Sequence, residues 1–269
     1  MSNRTPNHTL NRTLRLLSRS LASLTLTVAI ALFAAGNAFA AGAAKPAAGA
    51  VAASPAPADP AAYLAALKRE MQVKWPRNRI INLHYHGHSV PAGYFKTPVI
   101  NTLDAYPLAS LRLIKTRYPF AQINVINTSI GGEHSVSGAA RFKRDVLPHR
   151  PDVVFFDYAL NDRGLGLARA RAAWTTLITE AKAAKIKVIL LTPTPDWTVN
   201  LADPNNILEQ HARQIRALAA EHGVGLVDSL AAFTERVKRG ENVRDYLSQI
   251  NHPNTRGHAV VAELIAKWF

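Results

Sequence analysis

Ser89, Gly132, Asn161 and His252 follow one another along the chain, each in a loop at the end of an apolar run or just ahead of the final helical pattern. Those residue types suit one kind of chemistry. A serine hydroxyl becomes a nucleophile when a base such as histidine lies within hydrogen-bond reach to take its proton. The tetrahedral intermediate that follows carries an oxyanion, and donors must be aimed at it. A small residue with a free backbone N–H supplies one such donor, and a rigid side-chain amide supplies another. Alone, each residue has an ordinary explanation: a serine after glycine as a turn residue, a glycine pair as a turn, Asn-Asp after a strand as a helix cap, a histidine before Pro-Asn as a structural hydrogen-bonder. Their order and placement join them into one reading.

The elements that must hold these residues read as an alternation of strands and helices. Asp59-Pro60 supplies a cap and a first-turn proline for a helix over residues 61–71. Strands are predicted over 79–85, 122–127, 152–158, 187–191 and 225–227. Helices are predicted over 108–116, 137–146 and 167–185, from Asp203-Pro204 to 222, from Ser229, and over 256–268. The 167–185 segment is amphipathic, with Leu167, Ala170, Trp174, Leu177, Ile178 and Ala181 on one stripe. Short apolar strands separated by helices imply a parallel sheet covered on both faces. The expectation is an α/β protein, a three-layer α/β/α sandwich with a five-stranded parallel sheet over residues 60–269. Its active groups belong on loops at the carboxyl ends of the strands.

Four blocks carry a family resemblance. They are Gly87-His88-Ser89, the run Asn127 to Glu133, Tyr158-Ala159-Leu160-Asn161-Asp162, and Asn251-His252-Pro253-Asn254 with Gly257. In order and placement they resemble the SGNH, or GDSL, ester hydrolases over nearly all of the chain beyond its first segment. The resemblance implies an SGNH-hydrolase-like, flavodoxin-like fold and an ester hydrolase without cofactor or metal. It also implies Ser89 as nucleophile and His252 as base, with the Ser89 N–H, the Gly132 N–H and the Asn161 amide as the oxyanion hole. Three positions depart from the pattern. His88 stands where the family usually has Asp, and Ala159 where it usually has Gly. Gln249 stands at the acid's place, three residues before the histidine. A carboxylate there would orient the imidazole and stabilise its charged form; Gln can orient through its amide oxygen but offers no charge. Either Asp245 reaches in from the preceding turn, or Ser89 and His252 work as a dyad helped by a backbone carbonyl. The dyad is the expectation.

The N-terminus reads as an export signal. Residues 1–20 hold Arg4, Arg12, Arg15 and Arg19 and no acid; an apolar run over 21–35 and Asn37-Ala38-Phe39-Ala40-Ala41 follow. A basic start, an apolar stretch of about 7–15 residues and an A-x-A site make a cleavable secretory signal. A permanent span needs about 20 strongly apolar residues, and Ser23, Thr25 and Thr27 dilute this run. The expected organisation is a signal peptide over 1–40, an Ala/Pro-rich linker over 41–59 and a catalytic domain over 60–269, in a periplasmic or secreted protein with no permanent membrane span. The chain has no cysteine, which excludes disulfides, thiolate metal sites, a cysteine nucleophile and a lipidated cysteine. The formal charge is +14. Without the four signal arginines, 28 basic residues face 18 acidic ones, which favours anionic envelope surfaces. The basic residues, Arg141 among them, are scattered without aromatic interleaving; they read as a solvated surface, not a nucleic-acid site.

Three rival functions share these residues. His84, His86 and His88 alternate, and H-x-H at a strand end can bind a metal, with Asp157 or Asp162 completing the shell of a metal-dependent hydrolase. Against it, Gly87 is expected to end the strand before His88. A non-catalytic module binding envelope polysaccharide on the same fold, or an acyltransferase, would use the same loops. Arg163 can meet an anionic group or face solvent, Trp197 can line a pocket or pack, and Asp228 is expected to cap a helix. Carbohydrate O-acyl esters and short-chain acyl esters are the expected substrates, and no long apolar lid is evident for bulky lipids.

Overall fold

The structure is a computed structural model that describes residues 55–269. The predicted export signal and most of the predicted linker lie outside the described residues. Asp59 caps α1 (Pro60–Tyr63), its side chain accepting the Ala61 N–H, and α2 (Ala65–Glu70) follows after a break at Leu64, where one continuous helix is predicted. The remaining elements are β1 (Ile80–Gly87), α3 (Ser89–Ala92), α4 (Tyr106–Arg117), β2 (Gln122–Asn127), α5 (Ser135–Asp145), β3 (Val153–Asp157), α6 (Leu167–Ala183), β4 (Lys187–Leu191), α7 (Ile207–His222), β5 (Gly225–Val227), α8 (Ser229–Lys238), β6 (Leu247–Gln249), β7 (His252–Pro253) and α9 (Thr255–Ala266). Among the described residues no helix is long and apolar enough to cross a membrane.

Five strands form one parallel sheet in the order β2-β1-β3-β4-β5. Each strand sends alternate residues to opposite faces, and two apolar layers result. Leu83, Phe155 and Ile189 join a core with Met71, Tyr106, Val261 and Trp268. On the other face, Val154, Phe156 and Leu190 pack against Phe142, Trp174, Leu177 and Leu218. The central strands β3 and β4 are therefore apolar at nearly every position, and the three-layer expectation is met. The chain reverses its direction of travel across the sheet between β1 and β3, the kind of position where a crevice opens at the strands' carboxyl ends.

Two sequence readings are corrected. Asp203-Pro204 does not start α7: the Asp203 carboxylate accepts the Asn205 N–H within its own turn, and Asn206 caps the helix by accepting from Glu209. The stretch before His252 is not bare loop; β6 and β7 form a short antiparallel hairpin that pairs Gln249 with His252.

Candidate active site

Ser89 begins the single turn of α3 immediately beyond β1. Gly87 lets that turn sit close: a Cβ there would come within 2.5 Å of the Asp157 carbonyl on β3. The His88 imidazole caps the turn, its Nδ1 accepting the Val90 N–H at 3.1 Å. It thereby provides an acceptor at the helix cap, as an aspartate side chain there could. The ring proton is then on Nε2, 3.2 Å from Asp157 Oδ1 but off the line of a hydrogen bond. Asp157 Oδ2 accepts from the Tyr106 hydroxyl at 2.9 Å; burial, reinforced by this neighbouring carboxylate, raises the Tyr106 pKa well above its ordinary value.

His252 reaches Ser89 from the β6–β7 hairpin. Its Nε2 lies 3.0 Å from Ser89 Oγ, and both residues are largely buried. Burial lowers the His252 pKa; the Phe95 carbonyl, 3.1 Å from Nδ1, works in the opposite direction. Asp245 does not reach the histidine: it lies exposed in a 3-10 turn over Val243–Tyr246, where its backbone carbonyl accepts from Asn254. Gln249 does reach Nδ1, but through its amide nitrogen, at 2.8 Å. Its oxygen is held instead by the Thr97 N–H, so it is not the oxygen that meets the ring.

Backbone bonds tie two neighbouring segments to the Ser89 turn. The Ile130 N–H donates to the Gly87 carbonyl at 3.0 Å, and the His88 N–H to the Asp157 carbonyl at 3.2 Å. Gly132 sits at φ +78°, a left-handed conformation open to glycine without strain. Its N–H donates to no acceptor among the described residues. Asn161, in a 3-10 turn after β3, donates its side-chain amide to the Glu133 carbonyl at 2.8 Å, leaving its second amide hydrogen for a ligand. Gly132 and Asn161 therefore belong to one joined pair of loops, pinned next to Ser89.

Several residues are located differently from their sequence reading. Arg141 is not part of a solvated surface; it is buried and forks onto Glu133, with Nε 2.7 Å from Oε1. Arg163 is neither free for an anion nor solvent-facing, since it pairs with Asp196 at 3.0 Å. The three alternating histidines do not converge. His84 and His86 both contact Thr128 Oγ1 at 2.9 Å, His86 also meets the Gly138 carbonyl, and His88 serves the Ser89 turn. Among the described residues no group of three metal-ligating side chains forms. Asp162 is occupied elsewhere, accepting from the Ser135 N–H and the Trp174 indole. Asp228 caps α8, and Trp197 lies half-buried under the Arg244 guanidinium at 4.7 Å. A groove of about 270 Å³ lined by Asp203, Glu209, Arg216 and Lys238 contains neither Ser89 nor His252.

Sequence reading missed three contributors. The Phe95 carbonyl is a backbone group with no sequence signal. Tyr94, whose ring centroid is 5.9 Å from that of His252, looks like any loop aromatic. Glu133, directly after Gly132, could have been noticed for its position but not for its ion pair.

This sheet order and this serine–histidine arrangement define an SGNH-type α/β hydrolase. Residues 85–260 match the model of the GDSL-like lipase/acylhydrolase family, and the chain belongs to that family of ester hydrolases. An acetylxylan esterase from Geobacillus stearothermophilus is 28% identical over 165 residues, 56% of this chain and 74% of that protein. A crystal structure of an acetylxylan esterase from the same organism superposes with a TM-score of 0.61 at 25% identity, covering 70% of this chain and 93% of the other. A two-domain esterase active on acetylated mannans shares the fold, with a TM-score of 0.61 at 22% identity over 76% of this chain and 51% of its own.

Proposed function

We propose that the protein is an exported serine esterase that removes short acyl groups, acetyl foremost, from carbohydrate esters by way of an acyl-Ser89 intermediate. The observation that carries this reading is the 3.0 Å contact between Ser89 Oγ and His252 Nε2. In the reactive tautomer, the one with the ring proton on Nδ1 toward the Phe95 carbonyl, Nε2 takes the hydroxyl proton as Oγ attacks the ester carbonyl. The oxyanion is received by the Ser89 N–H, the Gly132 N–H and the free amide hydrogen of Asn161. The intermediate collapses by breaking the bond to the sugar oxygen, and His252 gives that oxygen its proton so that it leaves as a hydroxyl. A water, deprotonated by the same nitrogen, attacks the acyl-serine and releases the carboxylic acid. The names of the acetylxylan and acetylated-mannan esterases above support a carbohydrate ester as substrate, and a basic residue excess suits an acidic polysaccharide.

The test is acetate release from acetylated xylan and from nitrophenyl acetate by the purified protein beside Ser89→Ala and His252→Ala. Loss of turnover in both variants is expected; turnover indifferent to Ser89→Ala would sink the serine mechanism. Export is tested separately by the N-terminal sequence of the protein recovered outside the cytoplasm, which is expected to begin at Ala41.

A further inference from the structure

Gln249 is tied down on three sides. The Thr97 N–H donates to its Oε1 at 2.8 Å, which turns the NH₂ group inward. One amide hydrogen goes to Thr97 Oγ1 at 2.9 Å and the other to His252 Nδ1 at 2.8 Å. An N–H can be donated to Nδ1 only when that nitrogen is unprotonated. The ring proton then sits on Nε2, facing Ser89 Oγ, and the nitrogen that should accept the serine proton is already occupied. The Phe95 carbonyl, 3.1 Å from the same Nδ1, demands the opposite tautomer. Two groups therefore compete for one nitrogen, and only one of them favours catalysis. Rotating the amide does not resolve the conflict, because it sets the NH₂ against the Thr97 N–H.

We propose that Gln249 is a positioning residue acting in reverse, holding His252 in its non-basic tautomer so that the enzyme turns over more slowly than its geometry allows. The proposal rests on Ser89 and His252 as nucleophile and base. A carboxylate of the same length removes the conflict. In Gln249→Glu one oxygen accepts the Thr97 N–H, and the other accepts both the Thr97 hydroxyl and the His252 Nδ1–H. In a serine triad, exchanging the acid for its amide costs about 10⁴ in kcat through this tautomer trap. Here the Phe95 carbonyl already competes with the amide, so the reverse exchange recovers a part of that, about 10–10²-fold.

The experiment measures kcat, KM and their pH dependence on nitrophenyl acetate, and the ¹⁵N resonances of the His252 ring, for the wild-type protein, Gln249→Glu and Gln249→Ala. Ser89→Ala is combined with each. Gln249→Glu is expected to raise kcat at least about tenfold with KM little changed, to move the acid limb of the profile to higher pH, and to shift the ring proton from Nε2 to Nδ1. Gln249→Ala removes the competitor and keeps the Phe95 carbonyl, so kcat rises there too, by less. A wild-type ring already protonated on Nδ1, a Gln249→Glu enzyme no faster than wild type, or a fall in kcat with Gln249→Ala each overturns the proposal. Activity that survives Ser89→Ala in every background refutes the serine mechanism itself, a separate failure.

Discussion

Asn161 donates its side-chain amide to the backbone carbonyl of Glu133, 2.8 Å away. The bond joins the loop after β3 to the turn that carries Gly132, so in the proposed mechanism one oxyanion donor is built onto the support of the other. A displacement of either loop disturbs both donors, and hydrogen-bond donors stabilise an oxyanion only when they are already in place as charge develops.

Asn161→Ala is accordingly expected to lower kcat by about 10²–10³ with little change in KM. Steady-state kinetics on nitrophenyl acetate checks this. A variant retaining most of its kcat would remove Asn161 from the oxyanion hole.

The Glu133 side chain fixes the same turn from below. It pairs with Arg141, both side chains 8% exposed, and also accepts from the Tyr158 hydroxyl at 3.2 Å. Arg141→Met leaves a buried carboxylate without its cation, a change expected to cost about 3–5 kcal/mol. Adding Glu133→Gln neutralises that orphan, so the double variant should recover much of the loss. Urea unfolding of the three proteins checks the pattern; equal destabilisation in single and double variants would contradict it.

Three histidines make the fold sensitive to acid. Burial, aided for His84 by His86 and for His86 by Arg141, holds the His84 pKa at about 3 and that of His86 at about 4; burial likewise holds His258 at about 4. An unfolded chain protonates its histidines near pH 6.5. Below that pH the unfolded state takes up protons that the folded state refuses until about pH 3–4, so stability falls as pH falls through this window. Each histidine contributes a slope of at most about 1.4 kcal/mol per pH unit. The urea midpoint should drop between about pH 6.5 and pH 4 and drop less steeply in His86→Leu; a midpoint flat across that range would refute the account.

How far the sequence could be read follows from what each feature depends on. The bounds of β2, β4 and β5 coincide with the predicted strands, because each is a short run closed by a turn and decided by its own residues. The Ser89 and His252 loops were legible for another reason: four short blocks, in order and at loop or strand ends, resemble those of the SGNH hydrolases. The start of α7 was misread because Asp203 and Asn206 are both competent caps, and only tertiary packing selects between them. What Gln249 does was not legible, for a deeper reason. Its amide orientation is set by Thr97, 152 residues away, and no local pattern carries that information. Arg141 looked like surface charge until its partner, Glu133, was seen to be buried with it.

Tyr94 bears on acyl-group size. Its N–H donates to the Ser89 carbonyl at 3.0 Å, and its ring lies 5.9 Å from that of His252. The ring tip rests on Gly131, where an added Cβ would lie 2.8 Å from the Tyr94 hydroxyl. The side chain thus occupies space between His252 and the glycine turn, beside Ser89. Its hydroxyl makes no hydrogen bond to protein among the described residues, so Tyr94→Phe should change little. Tyr94→Ala opens that space and should favour longer acyl chains, with each accommodated methylene worth about 1–3 kcal/mol at most. The butyrate-to-acetate ratio of kcat/KM is expected to rise about tenfold in Tyr94→Ala and to hold in Tyr94→Phe. A ratio unchanged in Tyr94→Ala would mean that the acyl chain lies on the other side of Ser89, and the Gly131→Ala variant, which must displace the same ring, would then be equally without effect on chain-length preference.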